Sequence, residues 1–353
     1  MNNRIKKCVS EIRSRKLDAF ILSNPLNITY LSNFRDAEGY LLITSQAELF
    51  YFTNFIYEYE AKAQNIWTVI PSRGSIFKSI SAVIKKLNLN NIGFEAKNIG
   101  FLEYEKIKQN LCGKEVNLSQ TINFIEKLRV IKSKDEILSI RKATAITEEA
   151  LSFVEEIYDR AMTEKDLSIE IERFLCIKGA NSVSFPTIVA YGKNSALPHH
   201  KPQVIQNTKD GFSLIDLGAK YCEYCADLTR VFTWGKIPIL FKKVYDIVRQ
   251  AQDLSIKRIK DGIRASDVDK TAREFIEQKG YGKYFGHGLG HGVGLNVHEN
   301  PYLNPQSSEI LKEGMVVTIE PAIYLRGKFG IRIEDMVLVK KNKGEILSGN
   351  VHR

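Results

Sequence analysis

Four carboxylates stand inside runs of strand-forming residues, and they constrain this chain more than any other feature. Asp216 lies in Ser-Leu-Ile-Asp-Leu-Gly, Asp227 in Cys-Ala-Asp-Leu-Thr-Arg, Glu320 in Val-Thr-Ile-Glu-Pro and Glu334 in Ile-Arg-Ile-Glu-Asp-Met. Burying an ionised carboxylate is costly unless a cation or strong hydrogen bonds meet it. A fold that buries all four must bring them to a shared cation. Asp216 and Asp227 are spaced as if across a hairpin turning near residues 221–224, and Glu320 and Glu334 repeat the arrangement around Arg326-Gly-Lys-Phe-Gly330. Opposed side chains on one face of an antiparallel pair come within about 5 Å, the reach at which two carboxylates share metal ions. A metal-free acid/base dyad is the competing reading, and any one of these residues alone is more often an edge or cap residue.

A second concentration lies between the two hairpins. Three of the six histidines, His287, His291 and His298, fall in one glycine-threaded segment, Gly-His-Gly-Leu-Gly-His-Gly-Val-Gly-Leu-Asn-Val-His-Glu. Histidine is the commonest metal ligand, and glycine lets a backbone approach another group closely or take φ > 0. The segment contains neither G-x-G-x-x-G nor G-K-[ST], so a phosphate-cradling loop is not indicated. Its glycines are expected to let the backbone bend around a substrate. With one histidine added, the two acidic hairpins close into a cage.

The bulk numbers exclude several other classes. At 353 residues the chain is long enough for two domains, and 44% apolar with 26% charged residues is the balance of a globular protein. The net charge of +10 is spread along the chain rather than massed in a basic stripe, which argues against nucleic-acid binding. No apolar run reaches the length of a membrane span, and the first twenty residues lack the apolar core of a signal peptide. Five cysteines are an odd count in a long chain, so a reduced, cytoplasmic protein is expected, with Cys222-x-x-Cys225 incidental.

Periodicity predicts an α/β (α+β) protein. Residues 1–125 alternate an amphipathic start (Ile5, Val9, Ile12) with strands at 19–22, 40–44, 48–53, 67–70 and 91–94 and a helix at 76–87, with Ser23-Asn24-Pro25 read as a turn. A helical pattern over 124–158 follows, broken by the Ser133-Lys-Asp-Glu136 capping-box sequence, which marks a domain join and a second domain over 126–353. In that domain, helices are expected at 167–178, 241–260 and 265–279, and strands at 212–219, 225–233, 316–319 and 331–339.

In order and local context, Asp216, Asp227, His291, Glu320 and Glu334 resemble the metal ligands of the pita-bread metallopeptidases, specifically the branch of Xaa-Pro aminopeptidases and Xaa-Pro dipeptidases (prolidases). Phe185-Pro-Thr-Ile-Val, Asn194-Ser-Ala-Leu-Pro-His199-His200-x-Pro202, His298-Glu299-x-Pro301, Glu320-Pro-x-Ile-Tyr324 and Gly330-Ile-Arg332-Ile-Glu334-Asp335 are similar to segments of the same branch. The first 120 residues resemble the N-terminal domain shared with creatinase through Ser23-Asn-Pro-Leu-Asn-Ile-Thr-Tyr30-Leu-Ser-Asn-Phe34. Ala322, where glycine is usual, and Asn296, where an acidic residue is common, depart from the pattern without touching a ligand.

The resemblance implies a creatinase-like N-terminal α/β domain followed by a pita-bread catalytic domain that holds two divalent metal ions. Asp216 would bind one ion, His291 and Glu320 the other, and Asp227 and Glu334 both. This hard donor set favours Mn²⁺, with Co²⁺ or Zn²⁺ as alternatives. The implied chemistry is hydrolysis of the peptide bond preceding proline by a water activated between the metals. Glu320 would shuttle the proton, His298 and His199 would hydrogen-bond the substrate and the developing oxyanion, and His287 would line the pocket. Arg332, near the substrate site, would orient the carboxylates, and His200 need not face it. The partners expected are a proline-containing peptide and a second copy of the chain, with no nucleic acid and no membrane. A non-catalytic binding protein on this fold, or a metal-free creatinase-like amidinohydrolase, is the alternative, and an intact ligand set opposes both. A methionine aminopeptidase fits less well, because that group usually lacks the long N-terminal domain.

Overall fold

The computed structural model describes residues 2–35, 37–112, 115–157, 162–206 and 211–349. Tyr158, the end of the expected helical pattern, and residues 350–353 lie outside them. The chain forms two compact units, Met1–Arg129 and Val130–Arg353.

The first unit is a six-stranded sheet, β1 (Ala19–Leu22), β2 (Tyr40–Thr44), β3 (Leu49–Thr53), β4 (Thr68–Pro71), β5 (Asn91–Glu95) and β6 (Asn117–Thr121), in the order β4-β3-β2-β1-β5-β6. Only β2 runs antiparallel to its neighbours. β1 is buried along its whole length, so it carries the continuous apolar run of a central strand rather than an alternating one. Asn24 and Pro25, read above as a turn, instead begin the helix Pro25–Ser32: Asn24 caps it by accepting from the Leu26 N–H, and Pro25 occupies its first turn. Proline is favoured there because its missing N–H has no intrahelical partner in any case. The buried Glu95 carboxylate accepts the Ser23 and Asn24 N–H groups, each at 2.7 Å, and fixes the entry to this helix.

The second unit opens with the helix Lys134–Ile157 behind the expected capping box: Ser133 N–H donates to Glu136 Oε2 at 2.9 Å, and Glu136 N–H donates back to Ser133 Oγ at 3.4 Å. Helices Glu164–Ile177, Ile239–Arg258 and Ala265–Gln278 follow. The strands are β7 (Ser182–Val183), β8 (Ile188–Tyr191), β9 (Gly211–Leu217), β10 (Ala219–Tyr221), β11 (Tyr224–Cys225), β12 (Leu228–Trp234), β13 (Gly290–Gly292), β14 (Glu299–Leu303), β15 (Val316–Ile319), β16 (Ala322–Leu325), β17 (Phe329–Arg332), β18 (Asp335–Val339) and β19 (Gly344–Ile346). They form sheets ordered β12-β9-β8, β11-β10-β7, β14-β13-β15-β18-β19 and β16-β17. One apolar core joins the inner face of Ile239–Arg258 (Phe241, Val244, Val248, Ala251) to Val268 and Ala272 of Ala265–Gln278 and to Val317, Ile319, Ile331 and Val337 of the strands. It sits directly beneath the strands that carry the acidic residues. The architecture is a pita-bread unit preceded by a creatinase-like α/β unit.

Candidate metal centre

The two acidic hairpins form, with different registers. Ile319 pairs with Asp335 and Ala322 with Arg332, so the same register sets Glu320 directly opposite Glu334 in the gap between the two ladders. In the other hairpin Asp216 pairs with Thr229, and Lys220 with Cys225. Asp227 therefore falls opposite Gly218, diagonal to Asp216 and on the same face, because side chains alternate with a period of two. The expectation of direct opposition holds for the glutamates and is corrected for the aspartates. The turn is where it was expected, at Cys222 and Glu223, both with positive φ.

The five expected ligands converge. Asp216, Asp227 and Glu334 form one group, and His291, Glu320 and Glu334 another; within each, ligand atoms lie within 4.8 Å of one another. Asp227, His291 and His298 form a third such group. His291 Nε2 is 3.3 Å from Glu320 Oε1 and 3.6 Å from Asp227 Oδ2. Burial, and then the charges of Glu334, Asp216 and Glu320, push the Asp227 carboxyl well above the usual carboxylate range. Glu334 is pushed the same way, by burial and then by Glu320 and Asp216. Burial raises Asp216 against the opposing charge of Arg332. For Glu320, burial is outweighed by the hydrogen bond and charge of His291, and its pKa falls to about 2. Asp216 Oδ1 and Glu334 Oε1 are buried without a hydrogen-bond partner. Orphaned oxygens inside a cluster of repelling carboxylates are what divalent cations would satisfy, so this donor set fits divalent metal.

Arg332 is buried, and its guanidinium is engaged by protein groups: Asp216 Oδ2 at 2.6 Å, the Tyr324 hydroxyl at 2.6 Å, Thr229 Oγ1 at 3.1 Å and the Pro198 carbonyl at 3.3 Å. This geometry suits orientation of Asp216 rather than a direct hold on a ligand. Thr229 was not foreseen. Its hydroxyl accepts from Arg332 Nε and donates to Glu334 Oε2 at 2.8 Å, which joins the two hairpins. The signal was available in sequence, since Thr229 stands two residues beyond Asp227 and so shares its face.

The centre opens into a cleft of about 1230 Å³ lined by His199, His200, His287, His298 and Tyr324, among others. His199 and His298 are exposed on its wall. The His298 ring stands 4.3 Å from that of His291. His287 is lodged between Phe285 and Tyr324 with its Nε2 unpartnered. Burial pulls the imidazole pKa of both His287 and His298 downward. His200 is buried and set 2.7 Å from Glu164 Oε2, where it anchors the loop that carries His199.

The glycines of the histidine segment have a different purpose from the one expected. None between Gly286 and Gly294 has positive φ. A Cβ on Gly290 would run into the Thr318 carbonyl, and one on Gly292 into that of Asn300. β13 is squeezed between β14 and β15, and glycine clears the space for its neighbours rather than bending around a substrate. Cys222 lies in the hairpin turn, and burial pushes the Cys225 thiol up to about 11, which disfavours a free thiolate at Cys225.

An αβ unit ahead of a pita-bread unit whose strands close a carboxylate and histidine cage at a cleft defines a metal-dependent hydrolase of the prolidase type. Residues 139–341 match the model of metallopeptidase family M24, and residues 4–131 match the Creatinase/Prolidase N-terminal domain. The chain belongs to metallopeptidase family M24. It is 35% identical over 351 residues to a Xaa-Pro dipeptidase of Pyrococcus horikoshii, covering 99% of this chain and 97% of that one. It is similar in structure to a Xaa-Pro dipeptidase from Bacillus anthracis (TM-score 0.94, 32% identity, 99% and 98% covered). It is also similar to an X-Pro aminopeptidase from Thermotoga maritima (TM-score 0.90, 33% identity, 98% and 99% covered).

Proposed function

We propose that this chain is a dinuclear-metal Xaa-Pro peptidase, cleaving the bond that precedes proline in a dipeptide or a longer peptide. The observation that carries the dinuclear reading is that the groups Asp216, Asp227, Glu334 and His291, Glu320, Glu334 share a carboxylate, as two ions held side by side require. Asp216 would hold one ion and His291 with Glu320 the other, while Asp227 and Glu334 would reach both. All-oxygen donors with one imidazole suit Mn²⁺, with Co²⁺ or Zn²⁺ as alternatives. When bound, the pair of ions would polarise the scissile carbonyl and bring the pKa of a water toward neutrality.

The chain's own residues supply the rest. Glu320, half-buried at the edge of the cleft, would take a proton from water and pass it to the leaving amine. His298 and His199 face the cleft and would donate to the substrate carbonyl as charge develops on its oxygen. His287 lines the cleft and would form part of the pocket wall around the peptide. Arg332 holds Asp216 in place from behind. All five cysteines are free, which suits the reducing cytoplasm, and the proposal includes a homodimer.

The test is purified protein with added Mn²⁺, offered Ala-Pro, Ala-Pro-Ala and Ala-Ala-Ala, with metal content and mass in solution measured alongside. Cleavage of Ala-Pro alone defines a dipeptidase, and cleavage of Ala-Pro-Ala an aminopeptidase. Protein that binds no metal and cleaves none of the three overturns the proposal.

A further inference from the structure

We infer that Gln252, on the helix Ile239–Arg258, is a positioning residue that locks Glu320 and Glu334 into their facing geometry. The inference rests on the reading of these two glutamates as metal ligands. Gln252 is fully buried, on a helix face otherwise made of Phe241, Val244, Ile247, Val248, Ala251, Ser255 and Ile256. Its Nε2 donates to the Ile319 carbonyl at 3.0 Å and to the Ile333 carbonyl at 3.1 Å. Each of these carbonyls belongs to the residue immediately before one of the glutamates. One side-chain amide therefore ties the two strands together across the gap in which both carboxylates stand.

The gap has an identifiable cause. Glu320 N–H turns away to the Leu289 carbonyl and Glu334 N–H to the Thr229 carbonyl, so these two residues do not bond to each other. Backbone bonding in an antiparallel pair alternates, and the next pair in register, Pro321 with Ile333, is the one that should exchange bonds. Pro321 has no N–H to give. The Ile333 carbonyl, facing the buried core, would be left without that donor, and Gln252 supplies one from the helix. The arrangement leaves Gln252 Oε1 without a partner, a cost that an apolar residue at this position would not incur.

The test compares Gln252→Leu, Gln252→Asn and the double variant Gln252→Leu/Pro321→Ala with the unaltered protein. Mn²⁺ affinity is measured by calorimetric titration, kcat and KM on Ala-Pro, and thermal unfolding in EDTA. Gln252→Leu is expected to weaken Mn²⁺ binding roughly 10- to 100-fold, the usual effect of losing a group that orients metal ligands, with kcat at saturating Mn²⁺ falling more than KM rises. Gln252→Asn keeps the amide one methylene short and should fall between. Pro321→Ala restores a backbone N–H to the Ile333 carbonyl, so the double variant should bind Mn²⁺ several-fold more tightly than Gln252→Leu. Were Gln252→Leu unable to fold, the graded loss in Gln252→Asn would carry the test. Unchanged Mn²⁺ affinity in a folded Gln252→Leu, or no recovery in the double variant, overturns the inference. Failure of the unaltered protein to bind Mn²⁺ would instead overturn the metal reading itself.

Discussion

Replacing Thr229 with valine removes one hydroxyl and leaves the shape of the side chain almost unchanged. Thr229 is fully buried, donates to Glu334 Oε2 at 2.8 Å and accepts from Arg332 Nε at 3.1 Å. Both partners are buried and neither can turn to water, so each is left unsatisfied in the variant. Hydrogen bonds to charged groups contribute about 1.5–3 kcal/mol, and the two together set the expected destabilisation at about 3 kcal/mol, allowing for partial relaxation. For a unit the size of Val130–Arg353 this corresponds to a fall in Tm of roughly 6–12 °C. Thr229→Ser is the control, because it keeps the hydroxyl and loses only a buried methyl, worth about 1 kcal/mol. Calorimetric melting of all three proteins with saturating Mn²⁺, together with the Mn²⁺ affinity of each, gives the comparison. If Thr229→Val melts at or above Thr229→Ser, the hydroxyl is not a brace between the hairpins and the reasoning fails.

Other outcomes follow from the same geometry. The folded-state pKa values of Asp227 and Glu334 are raised, so the metal-free folded chain holds protons that the unfolded chain releases. Their contribution to stability is present below the ordinary carboxylate pKa and is lost as pH rises through the raised values. The lowered imidazoles of His287 and His298 act in the opposite sense between pH 5.5 and 7.5, so the metal difference is the test: Mn²⁺ should stabilise EDTA-treated protein more at pH 7.5 than at pH 5.5, and scanning fluorimetry with the opposite order would contradict this. The buried pair Lys132 and Glu299, 2.9 Å apart with side chains 1% and 7% exposed, makes Lys132→Met costly by about 3–5 kcal/mol. Urea unfolding should show Lys132→Met/Glu299→Leu to be more stable than Lys132→Met alone. Asp227→Ala should abolish metal retention and turnover, whereas Cys222→Ala should leave both nearly unchanged; metal analysis and an Ala-Pro assay showing the reverse would restore the cysteines as a functional pair.

Most of the fold could be read from local pattern where local pattern decides. β1, β2 and β15 occupy the residues that the apolar runs indicated, and the capping box at Ser133 forms as its sequence implies. Asn24-Pro25 misled because the same dipeptide that closes a strand in a turn can also cap and begin a helix, and the Glu95 carboxylate that holds the Asn24 N–H here lies 71 residues away. Four acidic residues and a histidine were visible as a site because burying charge is costly whatever surrounds it. What aligns them was less legible: Thr229 could have been placed on the face of Asp227 by its spacing, but Gln252 looks like an ordinary polar residue until a partner 81 residues away comes into reach. The glycines around His291 were read as a bend around a substrate, and the neighbours that require them, Thr318 and Asn300, could not be foreseen.

The facing of Glu320 and Glu334 gives the cage a sensitivity that neither residue has alone. Both are read out from one shared register, so a slip of one strand by a single residue would turn its glutamate to the opposite face. Lengthening the turn at Arg326, Gly327 and Lys328 leaves that register intact, whereas deleting one residue from β15 or β18 shifts it. A misaligned hairpin would therefore lack donors that the proposed metal ions need, and their binding would favour only the correctly paired chain.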